Sequence, residues 1–250
     1  MTHLPIRAVV FDMGGTIEDV YYDDEIRLEA TRGLREIMVR YGVDPGLPVV
    51  ELYGVVRKGM RKYKDWREQS ERELPPERVW AEFVFPSRVF PPGQLEEVAE
   101  KLALYYDTHF SIRTMRPEVP GTLNALRDAG LRLGIISNIL SRGQVPANLA
   151  AYEIDRFFQV VVLSSCFGWR KPNPRIFHEA ARLLRLRPAE CAYVGDTVSR
   201  DVAGSQRAGY GLSIQVKSFL TTKSDKPTDT ARPDAVVENL MEVVHLVAPA

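Results

Sequence analysis

From residue 120 onward, short apolar runs alternate with helical segments, and few folds accommodate that alternation. Leu131–Ile136, Val160–Leu163, Ala192-Tyr193-Val194 and Leu212–Val216 read as buried strands. Helices are predicted over 121–129 with a stop at Gly130, over Pro174–Leu186, over 199–208 before Gly209, and over Val236–Val247. Strands joined through helices lie parallel, with right-handed crossovers. Residues 6–11 add one more strand to the same sheet.

Between about residues 23 and 110 the period is helical throughout. Ile26, Ala30, Leu34, Ile37, Met38 and Tyr41 share one face, with Asp23 or Asp24 available as N-cap and Gly42 as the stop. The pattern repeats around Leu52, Val79 and Leu95, and Pro75-Pro76 and Pro91-Pro92-Gly93 separate the repeats. The expected fold is therefore α/β, a parallel sheet with a helical segment inserted after its first strand. The polar stretch Thr221–Thr230 reads as a surface loop.

The 250 residues, 45% hydrophobic, suffice for one domain with an insertion. Basic and acidic residues both total 33, which argues against nucleic acid or an acidic membrane surface as partner. Cys166 and Cys191 lack metal-ligand spacing and read as reduced apolar fillers. No apolar run approaches the roughly 20 residues that span a bilayer. With no signal-peptide pattern at Met1-Thr2-His3-Leu4-Pro5, the expectation is a cytoplasmic protein, monomeric or homodimeric.

Four polar groupings fall just beyond predicted strand ends, where open α/β sheets bind ligands. They are Asp12 with Thr16, Ser137 with Asn138, Lys171 in Arg170-Lys171-Pro172, and Gly195-Asp196 with Asp201. Each alone has a plain explanation as a turn residue, a helix cap or a solvated lysine. Together, Asp12, Asp196 and Asp201 set three negative charges against one lysine. Such a cluster is costly to keep ionised without a cation, and oxygen-only ligands suit Mg²⁺. Mg²⁺ and Lys171 would offset the charge of a phosphoryl group. Ser137 and Asn138 would donate hydrogen bonds to its oxygens, and Asp12 is the candidate nucleophile.

The order Asp12-x-x-Gly15-Thr16, Ile136-Ser137-Asn138, Lys171-Pro172 and Gly195-Asp196-x-x-x-x-Asp201 resembles the haloacid dehalogenase superfamily. The resemblance implies a Rossmann-like, doubly wound core over residues 1–17 and 112–250, with an α-helical cap over 18–111. It implies that Asp12 is nucleophile and metal ligand, and that the Gly14 carbonyl and Asp196 hold Mg²⁺ with Asp201 as ligand or supporting partner. Thr16, Ser137, Asn138 and Lys171 would hold the phosphate or orient Asp12. The implied activity is that of a phosphatase acting on a small phosphorylated metabolite through an aspartyl-phosphate.

One departure stands out. Phosphatases of this family carry Asp where this chain has Gly14, and that Asp protonates the leaving group. General acid–base catalysis is worth roughly 10²–10⁴-fold. Family dehalogenases lack the Gly-Asp motif present here. Phosphonoacetaldehyde hydrolases carry a small residue at the equivalent of position 14 and use a cap lysine, for which Lys58, Lys62 and Lys64 are the candidates. A phosphate-binding or regulatory protein with weakened turnover is the remaining alternative. The cations Arg57, Lys58, Arg61, Lys62, Lys64 and Arg67 read first as a solvated helix face, and second as a reception for an anionic substrate. Glu18 and Asp19 read first as polar turn residues, and second as acids that could substitute for the absent one.

Overall fold

The computed structural model describes residues 5–88, 90–91, 93–218, 221, 225 and 231–247. Its centre is β1, Ala8–Phe11, whose four residues are all buried. A strand apolar at every position has no face to offer water, and it sits inside a parallel sheet. The six-stranded order is β5 (Val160–Leu163), β4 (Arg132–Ser137), β1, β6 (Cys191–Gly195), β7 (Leu212–Val216) and β8 (Ala235–Val237), with every pairing parallel. Val9 lies opposite Leu133 on one side and Ala192 on the other.

Side-chain alternation along β1 splits the core. Val9 and Phe11 face a layer containing Leu123, Leu126 and Val243, while Ala8 and Val10 face Ile176, Phe177 and Tyr210. The first layer is built by α5 (Val119–Asp128) and the closing helix Met241–Val247, the second by α8 (Pro174–Leu183).

The helical segment comprises α1 (Asp24–Arg40), α2 (Val49–Ser70), the short α3 (Pro76–Val79) with a wide turn over Trp80–Val84, and α4 (Gln94–His109). Asp23 is the N-cap of α1, its carboxylate accepting from the Ile26 amide at 2.8 Å. The helices bury their own core, with Leu34, Met38, Leu52, Trp80, Val98 and Leu102 at its centre. Among the described residues no helix is long and apolar enough to cross a membrane.

The two chain passages between this layer and the sheet pair with each other. β2 (Glu18–Tyr21) and β3 (Ile112–Met115) form an antiparallel ladder, with Glu18 opposite Met115. Glu18 and Asp19 are thus strand residues, which corrects the turn expected there. Glu18 is fully buried and receives Arg113 Nη1 at 2.8 Å, Tyr152 Oη at 3.1 Å and the Asn148 amide. A buried carboxylate needs such a complete set of donors.

Three further expectations are corrected. Val236–Val247 is not one helix. Its first residues join the sheet as β8, and Asn239 then starts the helix by accepting from the Met241 amide at 2.8 Å. The helix expected over 199–208 opens as a π-turn, Val198–Val202, before α9, Ala203–Arg207. Cys191 is buried as expected, but Cys166 is exposed. Of the stretch 221–230, only Thr221 and Asp225 lie within the described residues.

Candidate active site

The strand order reverses at β1, with β4 on one side and β6 on the other, and the crevice at such a switch point is where α/β sheets hold ligands. Asp12 is the first residue past β1. Its amide donates to the Val194 carbonyl at 2.9 Å, which continues the ladder to the base of the site. The chain then turns tightly. The amides of Thr16, Ile17 and Glu18 converge on the Met13 carbonyl, at 3.3, 2.9 and 3.0 Å, leaving the Gly14 carbonyl outside that set. Gly15 has φ +88°, and a Cβ there would stand 2.5 Å from Asp196 Oδ2. The turn and the end of β6 approach this closely only because that side chain is missing.

Lys171 is the pivot. It is 2% exposed, and its Nζ lies 2.7 Å from Asp12 Oδ1, 2.7 Å from Asp201 Oδ1 and 2.8 Å from Tyr193 Oη. Asp12 Oδ1 also accepts from the Met13 amide at 2.7 Å, so Oδ2 lies outside both contacts. Asn138 positions this lysine through its backbone. Its Nδ2 donates to the Lys171 carbonyl at 2.9 Å, and its Oδ1 accepts from the Lys171 amide at 2.8 Å. Asn138 is therefore a clamp on the Lys171 segment more than the free donor expected for a phosphate.

The π-turn explains Asp201. Thr197 accepts at its carbonyl from the amides of both Asp201 and Val202, at 3.0 and 3.3 Å. This wide turn folds the Asp201 carboxylate back onto the Thr197 amide and hydroxyl, at 3.0 and 2.6 Å. Both Asp201 oxygens are thus engaged, one by Thr197 and one by Lys171 and Tyr193. Burial alone would raise its carboxyl, but Lys171 and Arg200 outweigh that and hold it below the ordinary aspartate value. A Cβ on Gly195 would stand 2.4 Å from Asp201 Cγ. Gly195→Ala should therefore cost about 1–3 kcal/mol of stability through overpacking. An unshifted urea midpoint would show that Asp201 is free to move.

Asp196 has the opposite environment. Its Oδ2 accepts from Ser218 Oγ at 2.7 Å, while Oδ1 is buried without a hydrogen-bond partner among the described residues. Burial first, then the charges of Asp201 and Asp12, push its carboxyl up to about 8. Burial also raises Asp12 above its usual range; Lys171 opposes this and Asp201 adds to it. Oxygens of Asp12, Asp196 and Asp201 all lie within 4.8 Å of one another. Three carboxylates against Lys171 and the neighbouring Arg200 still leave a deficit of positive charge, and the orphaned Asp196 oxygen marks where it is felt. The donor set is all oxygen, which fits a hard divalent cation.

Above these residues is a cavity of about 660 Å³ lined by Asp12, Gly14, Ser137, Asn138 and Lys171 on the sheet side. Thr16 is not brought into it. Among the described residues its buried hydroxyl has no hydrogen-bond partner, Asp12 included. On the helical side the wall includes Arg57, Arg61, Lys64 and Arg67, whereas Lys58 and Lys62 are not on it. Four of the six cations read first as a solvated face thus face the cavity.

Sequence reasoning missed several groups here. Tyr193 receives Lys171; it was visible only as one residue of a buried strand. Glu73, 5% exposed, accepts from Tyr63 Oη, from Ser164 Oγ at 2.8 Å and from Arg170 Nη1 at 3.1 Å, and lies 3.7 Å from Arg67 Nη1. Burial and the neighbouring Arg67 lower the Arg170 guanidinium to about 10. Asp107 is also on the cavity wall, and burial pushes its carboxyl up to about 6.

Residues 6–209 match the family model of the haloacid dehalogenase-like hydrolases. The chain is 31% identical over 97% of its length to the glyceraldehyde 3-phosphate phosphatase of Methanopyrus kandleri, and covers 97% of that protein. Among solved structures, a 2-haloacid dehalogenase from Pseudomonas syringae pv. Tomato superposes with TM-score 0.66 at 20% identity, covering 97% of this chain and 98% of that one. A phosphatase of the same superfamily from Thermococcus onnurineus gives TM-score 0.60 at 20% identity, with coverages of 96% and 97%. The fold, the ordered motifs and the full-length relative converge, and the chain belongs to the haloacid dehalogenase-like hydrolases.

Proposed function

We propose that this hydrolase is an Mg²⁺-dependent phosphatase that cleaves a small phosphorylated metabolite through a phosphorylated Asp12. The observation that carries this is the pairing of Asp12, held by Lys171 at 2.7 Å on the cavity floor, with the partnerless buried oxygen of Asp196. The full-length relative named a phosphatase supports the same reading. Residues 18–111 serve as the cap in this proposal, supplying Arg57, Arg61 and Arg67 to the cavity wall opposite the strand ends.

Asp12, the Gly14 carbonyl and Asp196 would hold the ion. Asp201 would support it through Lys171, because both its oxygens are already engaged. The ion when bound supplies charge neutralisation for the phosphoryl oxygens. Lys171 fixes one Asp12 oxygen, so that the other is presented in a defined direction. An Asp12 oxygen bonds to phosphorus as the ester oxygen leaves, and water then displaces Asp12 from phosphorus. Ser137, which lines the wall, would donate to a phosphoryl oxygen.

A panel of phosphate esters and phosphonates, assayed with Mg²⁺ and with EDTA, tests the proposal. The expected outcome is hydrolysis of small phosphate esters that EDTA abolishes and added Mg²⁺ restores. Turnover indifferent to EDTA, or confined to phosphonates, would contradict it. In the latter case borohydride should trap substrate on Lys64, the wall lysine of the expected cap set, which lies 3.8 Å from Glu68.

A further inference from the structure

We infer that Asp107, on α4 of the helical layer, is the proton donor to the leaving group in place of the missing acid at position 14. The inference rests on the phosphatase reading above and deepens it.

Four carboxylates line the cavity: Asp12, Asp65, Glu68 and Asp107. Asp12 is the nucleophile. Asp65 is exposed, and Glu68 lies 3.8 Å from Lys64. The two acids closest in sequence to the turn are excluded by their contacts. Glu18 is wholly enclosed by Arg113, Tyr152 and Asn148. Asp19 is on the exposed side of β2, 3.7 Å from Arg116.

Asp107 is held differently. Its Oδ2 accepts from the Ser141 amide at 2.7 Å, three residues past Asn138 in the loop that follows β4. The carboxyl is therefore tied to the loop that carries Ser137 and Asn138. Among the described residues, Oδ1 has no hydrogen-bond partner. The loop does not depend on Asp107 for its anchorage. Glu100, two turns back on the same face of α4, already accepts from Ser141 Oγ at 2.7 Å and from the amides of Arg142 and Gly143 at 2.8 and 3.1 Å.

The charges around Asp107 come from several elements. Arg113 on β3 donates to its backbone carbonyl at 3.0 Å, but its Nη1 is committed to Glu18. Against burial, the Ser141 amide, Arg113 and Arg67 on α2 lower the carboxyl while Glu73 raises it, and Tyr106 is its half-buried neighbour on α4. Burial is the largest influence and pushes the carboxyl up to about 6, so a minor protonated fraction persists at neutral pH and grows as pH falls. That is the range suited to a general acid.

The step balances without an external reagent. As the bond from Asp12 to phosphorus forms and the ester P–O bond breaks, the departing oxygen takes the Asp107 proton and leaves as an alcohol. Water then attacks phosphorus, its proton returns to Asp107, and phosphate leaves with Asp12 restored.

Asp107→Asn tests this, because Asn keeps an acceptor for the Ser141 amide but carries no transferable proton. Two esters are compared in Mg²⁺: an aryl phosphate, whose leaving group needs little protonation, and an alkyl phosphate, whose leaving group needs it. The alkyl ester should lose roughly 10²–10⁴-fold in kcat/KM, the worth of general acid catalysis, and the aryl ester far less. Gly14 has no left-handed φ that would bar a side chain. Adding Gly14→Asp to Asp107→Asn should therefore restore the alkyl ester selectively. Equal losses on the two esters, or unchanged alkyl turnover, overturn the assignment of Asp107 alone. A wild-type protein inert toward both esters overturns the phosphatase reading as well.

Discussion

Asp12→Asn is expected to lower kcat by about 10⁴-fold or more on every substrate, aryl or alkyl, because in the proposed mechanism the bond to phosphorus forms at Asp12. The fold should survive. Asn still offers an oxygen to the Met13 amide and to Lys171, which Asp12 Oδ1 holds at 2.7 Å each. Stability should stay level or rise. Burial raises the Asp12 carboxyl above its ordinary value, so the folded state disfavours the ionised side chain in the absence of a cation. That penalty is present above the raised folded-state value and vanishes as pH falls below the unfolded one. A neutral amide at position 12 removes it. Comparing urea midpoints at neutral pH, in EDTA, gives the sign. A variant that both loses activity and unfolds would point to a structural role for Asp12.

Lys171→Met should be the most destabilising single change in the sheet domain. The ammonium is 2% exposed and lies 2.7 Å from both Asp12 and Asp201. Its removal leaves two buried carboxylates beside Asp196, whose carboxyl is already pushed up to about 8 by the same crowding. Breaking a buried pair by deleting one partner costs about 3–5 kcal/mol. The loss should shrink at lower pH, where the unpaired carboxyls take up protons. On the proposal that the acid cluster of the folded state holds Mg²⁺, the loss should also shrink when that ion is added. A urea midpoint equal to that of the unaltered protein would show that Lys171 does not compensate the acid cluster.

Much of the sheet could be read from the sequence, and the reason is burial. Val160–Leu163 and Leu212–Val216 have the bounds predicted for them, the first an unbroken apolar run and the second apolar at Leu212, Ile214 and Val216 with Ser213 and Gln215 buried between them. The ladder of β2 with β3 could not be read this way. Each strand has four residues, and Glu18 meets Met115 across the whole helical segment. Glu18 looks like a turn acid in one dimension; only its distant partners Arg113, Asn148 and Tyr152 make it a buried one. The helix Gln144–Ala151 was masked by Pro146, which its first turn tolerates because amides there lack intrahelical partners.

The candidate site divides in the same way. Asp12, Lys171, Asp196 and Asp201 stood at strand ends, and the structure brings them together. Thr16 shared the motif but points its hydroxyl into the protein, without a partner. The groups of the helical layer were not legible, because which face of α2 or α4 looks onto the cavity depends on how the layer packs. Arg67 and Arg170 are brought to one carboxylate, that of Glu73, from different layers. Asp107 carried no mark in sequence beyond being a polar residue near the end of a helix.

The account turns on phosphorus being transferred to the side chain at position 12. Acid quenching during steady-state turnover of an aryl phosphate, followed by borohydride reduction and peptide mass spectrometry, reads this directly. Reduction of an aspartyl-phosphate should convert residue 12 to homoserine, with no conversion in Asp12→Asn or when substrate is omitted. Rapid turnover with residue 12 unmodified, or with the reducible adduct on a lysine, would contradict it.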